Sequence, residues 1–209
     1  MCGRYALTSP PAAIAERFHL LWTPEIAPHY NIAPSQMVPA VRETGEGREV
    51  AFLKWGLIPW WARDAHVGAK LVNARAESLA EKPAFRDAYR HRHCVVPADA
   101  FYEWKAVAGR KQPYCVRMRD TSLFGMAGLW ERWKASDGQV VESCAIVTVD
   151  ANPLVAPLHD RMPLILAPAD YDAWLAAATL ALPHAVPAEE MTAYPVSPIV
   201  SDAKNDVPA

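Results

Sequence analysis

Cys2 directly follows the initiator methionine. Met1 is usually removed when the second residue is small, and cysteine is small. Removal would leave a cysteine with a free α-amine beside its thiol. The amine has a reference pKa of about 8 and the thiol of about 8.5, and the thiol reacts as its thiolate. Such a 1,2-aminothiol captures aldehydes: the amine condenses to an imine and the sulfur closes a five-membered thiazolidine. A cysteine here is also compatible with a small apolar residue in the core, so the rest of the chain must decide.

Further chemistry lies in scattered polar residues. Glu103 sits within Phe101-Tyr102-Glu103-Trp104. On a strand it shares a face with Phe101, so it is either a solvated alternation or a buried acid able to give a proton near neutral pH. His159 precedes Asp160-Arg161-Met162-Pro163 and is the usual residue type for proton transfer, or a structural ring at a strand start. Asn73 and Arg75 suit a loop that presents an amide to a substrate oxygen and a guanidinium to a phosphate. The same Asn73 suits an Asx turn capping the next helix. Trp60 and Trp61 can stack on unpaired bases or fill a core.

These groups are dispersed, so a fold must collect them. The 209 residues suit one domain, here taken as residues 2–198, with residues 199–209 as a tail ordered only in part. No apolar run is long enough to span a membrane, and the start does not read as a signal peptide. The four cysteines form no CxxC pair, which argues against a zinc ribbon or disulfide scaffold and fits a reducing cytoplasm. No metal and no cofactor are expected. The net charge of −2 gives no bulk support for nucleic-acid binding. Any basic groove must be balanced by acids elsewhere.

The 19 prolines break the chain into short pieces and leave little room for long helices. Ser9 reads as the N-cap of a helix ending at Phe18. Residues 29–34 read as a loop. Met37 to Val41 and Glu49 to Trp55 form a strand pair, and residues 55–61 an aromatic loop. A helix is expected from about Ser78 to Tyr89. Strands follow at residues 94–97, 101–104, 114–118, 123–133, 140–149 and 161–166, then a helix from Pro168 to about Ala177. The sum is an α+β protein with a mainly antiparallel sheet curling toward a barrel, flanked by short helices.

Several segments then fall in a telling order: Met1-Cys2-Gly3-Arg4-Tyr5, Tyr30-Asn31-Ile32-Ala33-Pro34, Trp55-Gly56-Leu57-Ile58-Pro59, Asn73-Ala74-Arg75-Ala76-Glu77, Tyr102-Glu103-Trp104, Ala127-Gly128-Leu129-Trp130 and His159-Asp160-Arg161-Met162-Pro163. The ordered set resembles the SRAP family, named for "SOS response-associated peptidase". The resemblance implies a sensor of abasic sites in single-stranded DNA, crosslinked through the N-terminal cysteine as a thiazolidine. It implies Cys2 as nucleophile with Asn73, Glu103 and His159 completing the site. Arg4, Arg75, Trp61 and Arg161, with Pro39 and Trp60, would line the DNA path. The partner is then single-stranded DNA, with no membrane, and the protein a monomer of the cytoplasm that joins the nucleoid on damage. An N-terminal-nucleophile thiol hydrolase or peptidase, and a noncatalytic reader of single-stranded or modified DNA, are the alternatives.

Overall fold

The computed structural model describes residues 2–177 and 185–208. Met1 and His184 lie outside the described residues. Thirteen strands and three short α-helices are built from this part of the chain, in the order β1 (Tyr5–Leu7), α1 (Pro11–Phe18), β2 (His29–Ile32), β3 (Met37–Thr44), β4 (Gly47–Trp55), β5 (Asn73–Arg75), α2 (Arg86–His91), β6 (His93–Ala98), β7 (Ala100–Val107), β8 (Arg110–Met118), β9 (Phe124–Lys134), β10 (Val140–Asp150), β11 (Arg161–Pro163), β12 (Ile165–Leu166), α3 (Tyr171–Leu175) and β13 (Met191–Pro195).

The strands form two sheets. One runs β13-β8-β7-β1-β2. The other runs β11-β10-β4-β3-β6-β9-β12, and β9 also pairs with β10. That last pairing, from Val140↔Lys134 to Ile146↔Gly128, closes β10, β4, β3, β6 and β9 into a five-stranded barrel. Closure removes the exposed edges that a flat sheet would leave. The barrel expected from the sequence is therefore present, and its ladders are antiparallel except where β10 runs parallel to β4 and β5. Alternation explains the fill on β4, where Ala51, Leu53 and Trp55 are buried, whereas β6 is buried along its whole length. Trp55 donates its indole N–H to the Val72 carbonyl at 2.9 Å, so its polar atom is satisfied inside the core.

Several local expectations are corrected. Residues 29–32 form β2, because β1 offers an edge with Tyr5 opposite Ile32. Ser9 does not cap α1. Pro10 occupies that position, and Ser9 instead donates its hydroxyl to Asp99 at 2.5 Å. Ile14 and Phe18, four apart, still bury the helix face. Asn73 to Arg75 is a strand, paired in parallel with Ile146 to Thr148. The helix expected over 78–89 is shorter and later: a 3-10 turn at Ala76–Ser78 precedes α2. Pro83 accounts for this, since an interior proline cannot donate to the helical ladder. The helix after Pro168 ends at Leu175, and Ala177 has φ +49°.

Residues 198–206 pack against the first strands. The buried Asn31 amide donates to the carbonyls of Val200, Asp202 and Asn205, at 3.2, 3.0 and 2.7 Å. Asp206 accepts from the Tyr30 and Asn31 backbone N–H groups, which covers the free edge of β2.

Candidate active site

Cys2 precedes β1 where the five-stranded sheet meets the barrel, and it belongs to the same buried cluster as the barrel core. Its side chain has 0% exposure. Two elements from different sheets reach it. From the barrel side, β5 presents Asn73, whose Nδ2 donates to the Cys2 carbonyl at 2.8 Å. From the other sheet, β7 lies beside the start of the chain: Tyr102 N–H donates to the Arg4 carbonyl at 2.9 Å. Glu103 follows by one residue.

Glu103 is 4% exposed, so the buried-acid reading of this strand holds. Burial raises its pKa, while the His159 ring, when charged, opposes that shift. The Cys2 thiol is pushed well above its usual range, chiefly by burial and next by the Glu103 charge. The Arg4 backbone N–H bonded to the sulfur pulls the other way. Glu103 is thus within electrostatic reach of both Cys2 and His159.

His159 follows a turn tied by its own N–H to the Val155 carbonyl at 3.0 Å, and immediately precedes β11. Its Nδ1 meets two groups. The Arg161 backbone N–H donates to it at 2.9 Å, and Asp160 Oδ1 lies 2.8 Å away. The first contact needs an unprotonated Nδ1 and the second a protonated one, so the two exclude each other. Asp160 is 83% exposed and free to swing away, so the backbone contact governs the neutral ring. Asn73 Oδ1 is buried and has no hydrogen-bond partner among the described residues. Such an acceptor costs roughly 1–3 kcal/mol until something donates to it.

The expected DNA-facing residues divide. Trp60 and Trp61 are 57% and 48% exposed, and Arg75 is exposed. The turn carrying the tryptophans starts at Gly56, whose φ of +133° and 2.7 Å Cβ approach to the Gly68 carbonyl leave no room for a side chain. Arg4 is half-buried and bonds Asn31 Oδ1 at 2.8 Å and the Val200 carbonyl at 2.7 Å. Pro39 and Arg161 are not on the open surface. Pro39 is buried on β3 opposite Phe52, where a missing N–H is tolerated because β6 pairs with β3 only at Val41. Arg161 is 7% exposed, and both of its terminal nitrogens are held by Glu77, Asp150 and the Thr148 carbonyl. Its guanidinium is neutralised from within the protein.

Sequence reasoning missed Asn31 and Glu77. Asn31 looked like a loop residue, and nothing local marks its three distant carbonyl partners. Glu77 ends the Asn73–Glu77 segment that was singled out, and an acid four residues after a site amide was a usable signal.

Residues 1–203 match the family described as SOS response associated peptidase (SRAP). The chain belongs to the SRAP family. Full-length SRAP relatives include "Abasic site processing protein YoqW" of Bacillus subtilis, 39% identical with 100% of this chain and 97% of that protein covered. "Abasic site processing protein YedK" of Escherichia coli is 30% identical, with 98% and 96% covered. A crystal structure of a Bacteroides thetaiotaomicron protein superposes with a TM-score of 0.85 at 25% identity, covering 98% of this chain and 97% of that one. The SRAP resemblance read from the ordered segments holds, and so does the α+β fold read from the local elements. No helix among the described residues is long and apolar enough to cross a membrane.

Proposed function

We propose that this SRAP protein processes abasic sites in single-stranded DNA by crosslinking to them through Cys2. The relatives named as abasic site processing proteins support the substrate class. The observation that carries the chemistry is the convergence on residue 2: an amide on its carbonyl and a buried carboxyl within electrostatic reach of its thiol.

The steps follow from the groups present. An abasic deoxyribose is mostly a closed hemiacetal. Glu103, whose hold on its proton is strengthened by burial, gives that proton to the ring oxygen while the C1′ hydroxyl loses its own to water, and the C1′ aldehyde is released. Once Met1 has been removed, the Cys2 amine adds to C1′ and one water leaves, giving an imine. His159 carries protons during the loss of water. Asn73 Oδ1 accepts from the amine or a sugar hydroxyl, which satisfies its open acceptor. The Cys2 sulfur then bonds to C1′, the thiol proton passes to nitrogen, and the thiazolidine closes. Arg75, Trp60 and Trp61 hold the flanking strand, by phosphate contact and base stacking. The protein works as a monomer, with the DNA in the cytoplasm. An imine left unclosed is open to β-elimination, the origin of any lyase activity. Removal of Met1 by the protein itself would account for the peptidase name.

The test is a denaturing gel after incubation with single-stranded DNA carrying one abasic site. A heat-resistant shifted band that disappears in Cys2→Ala is expected. No band from protein whose intact mass shows loss of Met1 would refute the reading. Heat-labile retention would favour a noncatalytic reader, and peptide turnover a thiol hydrolase.

A further inference from the structure

The Asn73–Ser78 segment touches two parts of the site. At its start, Asn73 holds the Cys2 carbonyl. Four residues on, Glu77 grips Arg161 with both carboxylate oxygens: Nη1 to Oε1 and Nη2 to Oε2, each 2.9 Å. This is a fork-on-fork pair, the most directional ion-pair geometry available to proteins. The Arg161 side chain is also held by the Thr148 carbonyl at 2.6 Å and by Asp150 at 2.5 Å. Arg161 opens β11, and its backbone N–H donates to His159 Nδ1. An N–H donating to Nδ1 leaves the neutral ring's proton on Nε2.

We infer that Glu77 is a positioning residue that acts through Arg161 to fix the tautomer and orientation of His159. It thereby sets one segment between nucleophile and proton carrier. This rests on the reading of His159 as the proton carrier. The clamp also accounts for the burial of Arg161. A guanidinium 7% exposed has both terminal nitrogens taken by groups of the protein itself. Asp150 cannot replace Glu77. It reaches only Nη1 and is 91% exposed, so it does not fix the plane of the guanidinium. Without Glu77, Nη1 keeps only Asp150 and Nη2 only the Thr148 carbonyl, so the guanidinium loses its two-point carboxylate clamp and the first residue of β11 is held less tightly. A displacement there of about 1 Å is enough to slow a positioned proton transfer severely.

The experiment uses full-length protein and compares wild type, Glu77→Gln and Glu77→Asp, with His159→Gln to assign the ring signal. Two readouts are taken. Nitrogen–proton correlation spectra of labelled histidine rings report the tautomer of His159 without any DNA. Single-turnover crosslinking with abasic single-stranded DNA reports the rate at saturation and the half-saturating DNA concentration separately. Glu77→Gln should change the His159 signal from one tautomer to a mixture. It should also lower the saturated rate roughly tenfold, with half-saturation within about twofold. Glu77→Asp, which keeps the charge, should recover part of both. An unchanged His159 signal in Glu77→Gln overturns the inference. So does a moved half-saturation with an unchanged saturated rate, which would mean that Glu77 restrains Arg161 as a DNA contact. If wild type forms no crosslink, the functional reading fails, and the ring spectra alone still decide the role of Glu77.

Discussion

Cys2 and Cys144 are both 0% exposed, and burial raises both thiols. They differ in what surrounds them. Cys144 lies on β10 opposite Trp130 within the barrel wall, and burial alone pushes it up to about 12. Cys2 has the Asn73 amide on its carbonyl, the Glu103 carboxyl within electrostatic reach and a backbone N–H on its sulfur. Exposure does not separate these residues, and neither does residue type. The seam between two sheets supplies polar partners that the closed barrel cannot, because β9 and β4 already use the hydrogen-bonding groups on both sides of β10.

The sharpest break of the comparison is the pair of cysteine deletions. Cys2→Ala should abolish crosslinking outright, since it removes the thiol that closes the ring. Cys144→Ala should leave the rate within about twofold. It should instead cost about 1 kcal/mol of stability through the cavity it leaves, read from chemical denaturation. Equal loss of crosslinking in the two variants would show that burial, not partnership, governs the chemistry.

Glu103→Gln comes next. It keeps the shape and removes the proton donor, so crosslinking at saturation should slow by about 100-fold, the lower end of general-acid contributions. A rate within threefold of wild type would assign the acid to another group. Asn73→Ala should have a smaller effect, roughly tenfold in rate, because it loosens the Cys2 carbonyl without removing a reacting atom. Its measurement is the same single-turnover assay. An unchanged rate would reduce Asn73 to a packing residue.

Much of this was legible in the sequence, and the parts that were not share a cause. The β3–β4 hairpin and the long β9–β10 pair each join neighbours in sequence across a short turn, so their register is written into neighbouring residues. The buried state of Glu103 was one of two readings of Phe101-Tyr102-Glu103-Trp104, and only the packing of β7 against β1 selects it. β2 and β5 are three or four residues long and carry no periodicity of their own. They are strands because distant edges, β1 and β10, were available. Arg161 shows the same limit for a side chain. Arginine type and motif position suggested a phosphate contact. Within the protein its side chain meets Glu77, 84 residues away, and Asp150, 11 away, and no local signal marks either.

The smallest effect tests whether the Glu103 carboxyl is held protonated by burial, the condition that sets the Cys2 seam apart from the barrel wall. Its folded pKa lies above the ordinary carboxylate value, with burial as the main cause. The sign follows from linkage: between the two pKa values the folded protein keeps a proton that the unfolded chain releases, so stability falls as pH rises. That contribution is fully present below the unfolded pKa of about 4.3 and is lost through the folded one. Glutamine does not titrate and loses nothing. The melting temperature of Glu103→Gln should therefore gain on wild type as pH rises from 4 toward 8. The gain should be a few degrees, because 1 kcal/mol corresponds to about 2–4 °C in a domain of this size. Cys144→Ala, run in parallel, should show no such trend over this range. The Cys144 thiol stays protonated in both folded and unfolded chains until the pH approaches its ordinary value of 9.0. A constant offset for Glu103→Gln would mean that the carboxyl ionises as easily as an exposed one, and its role as the acid would fall with that result.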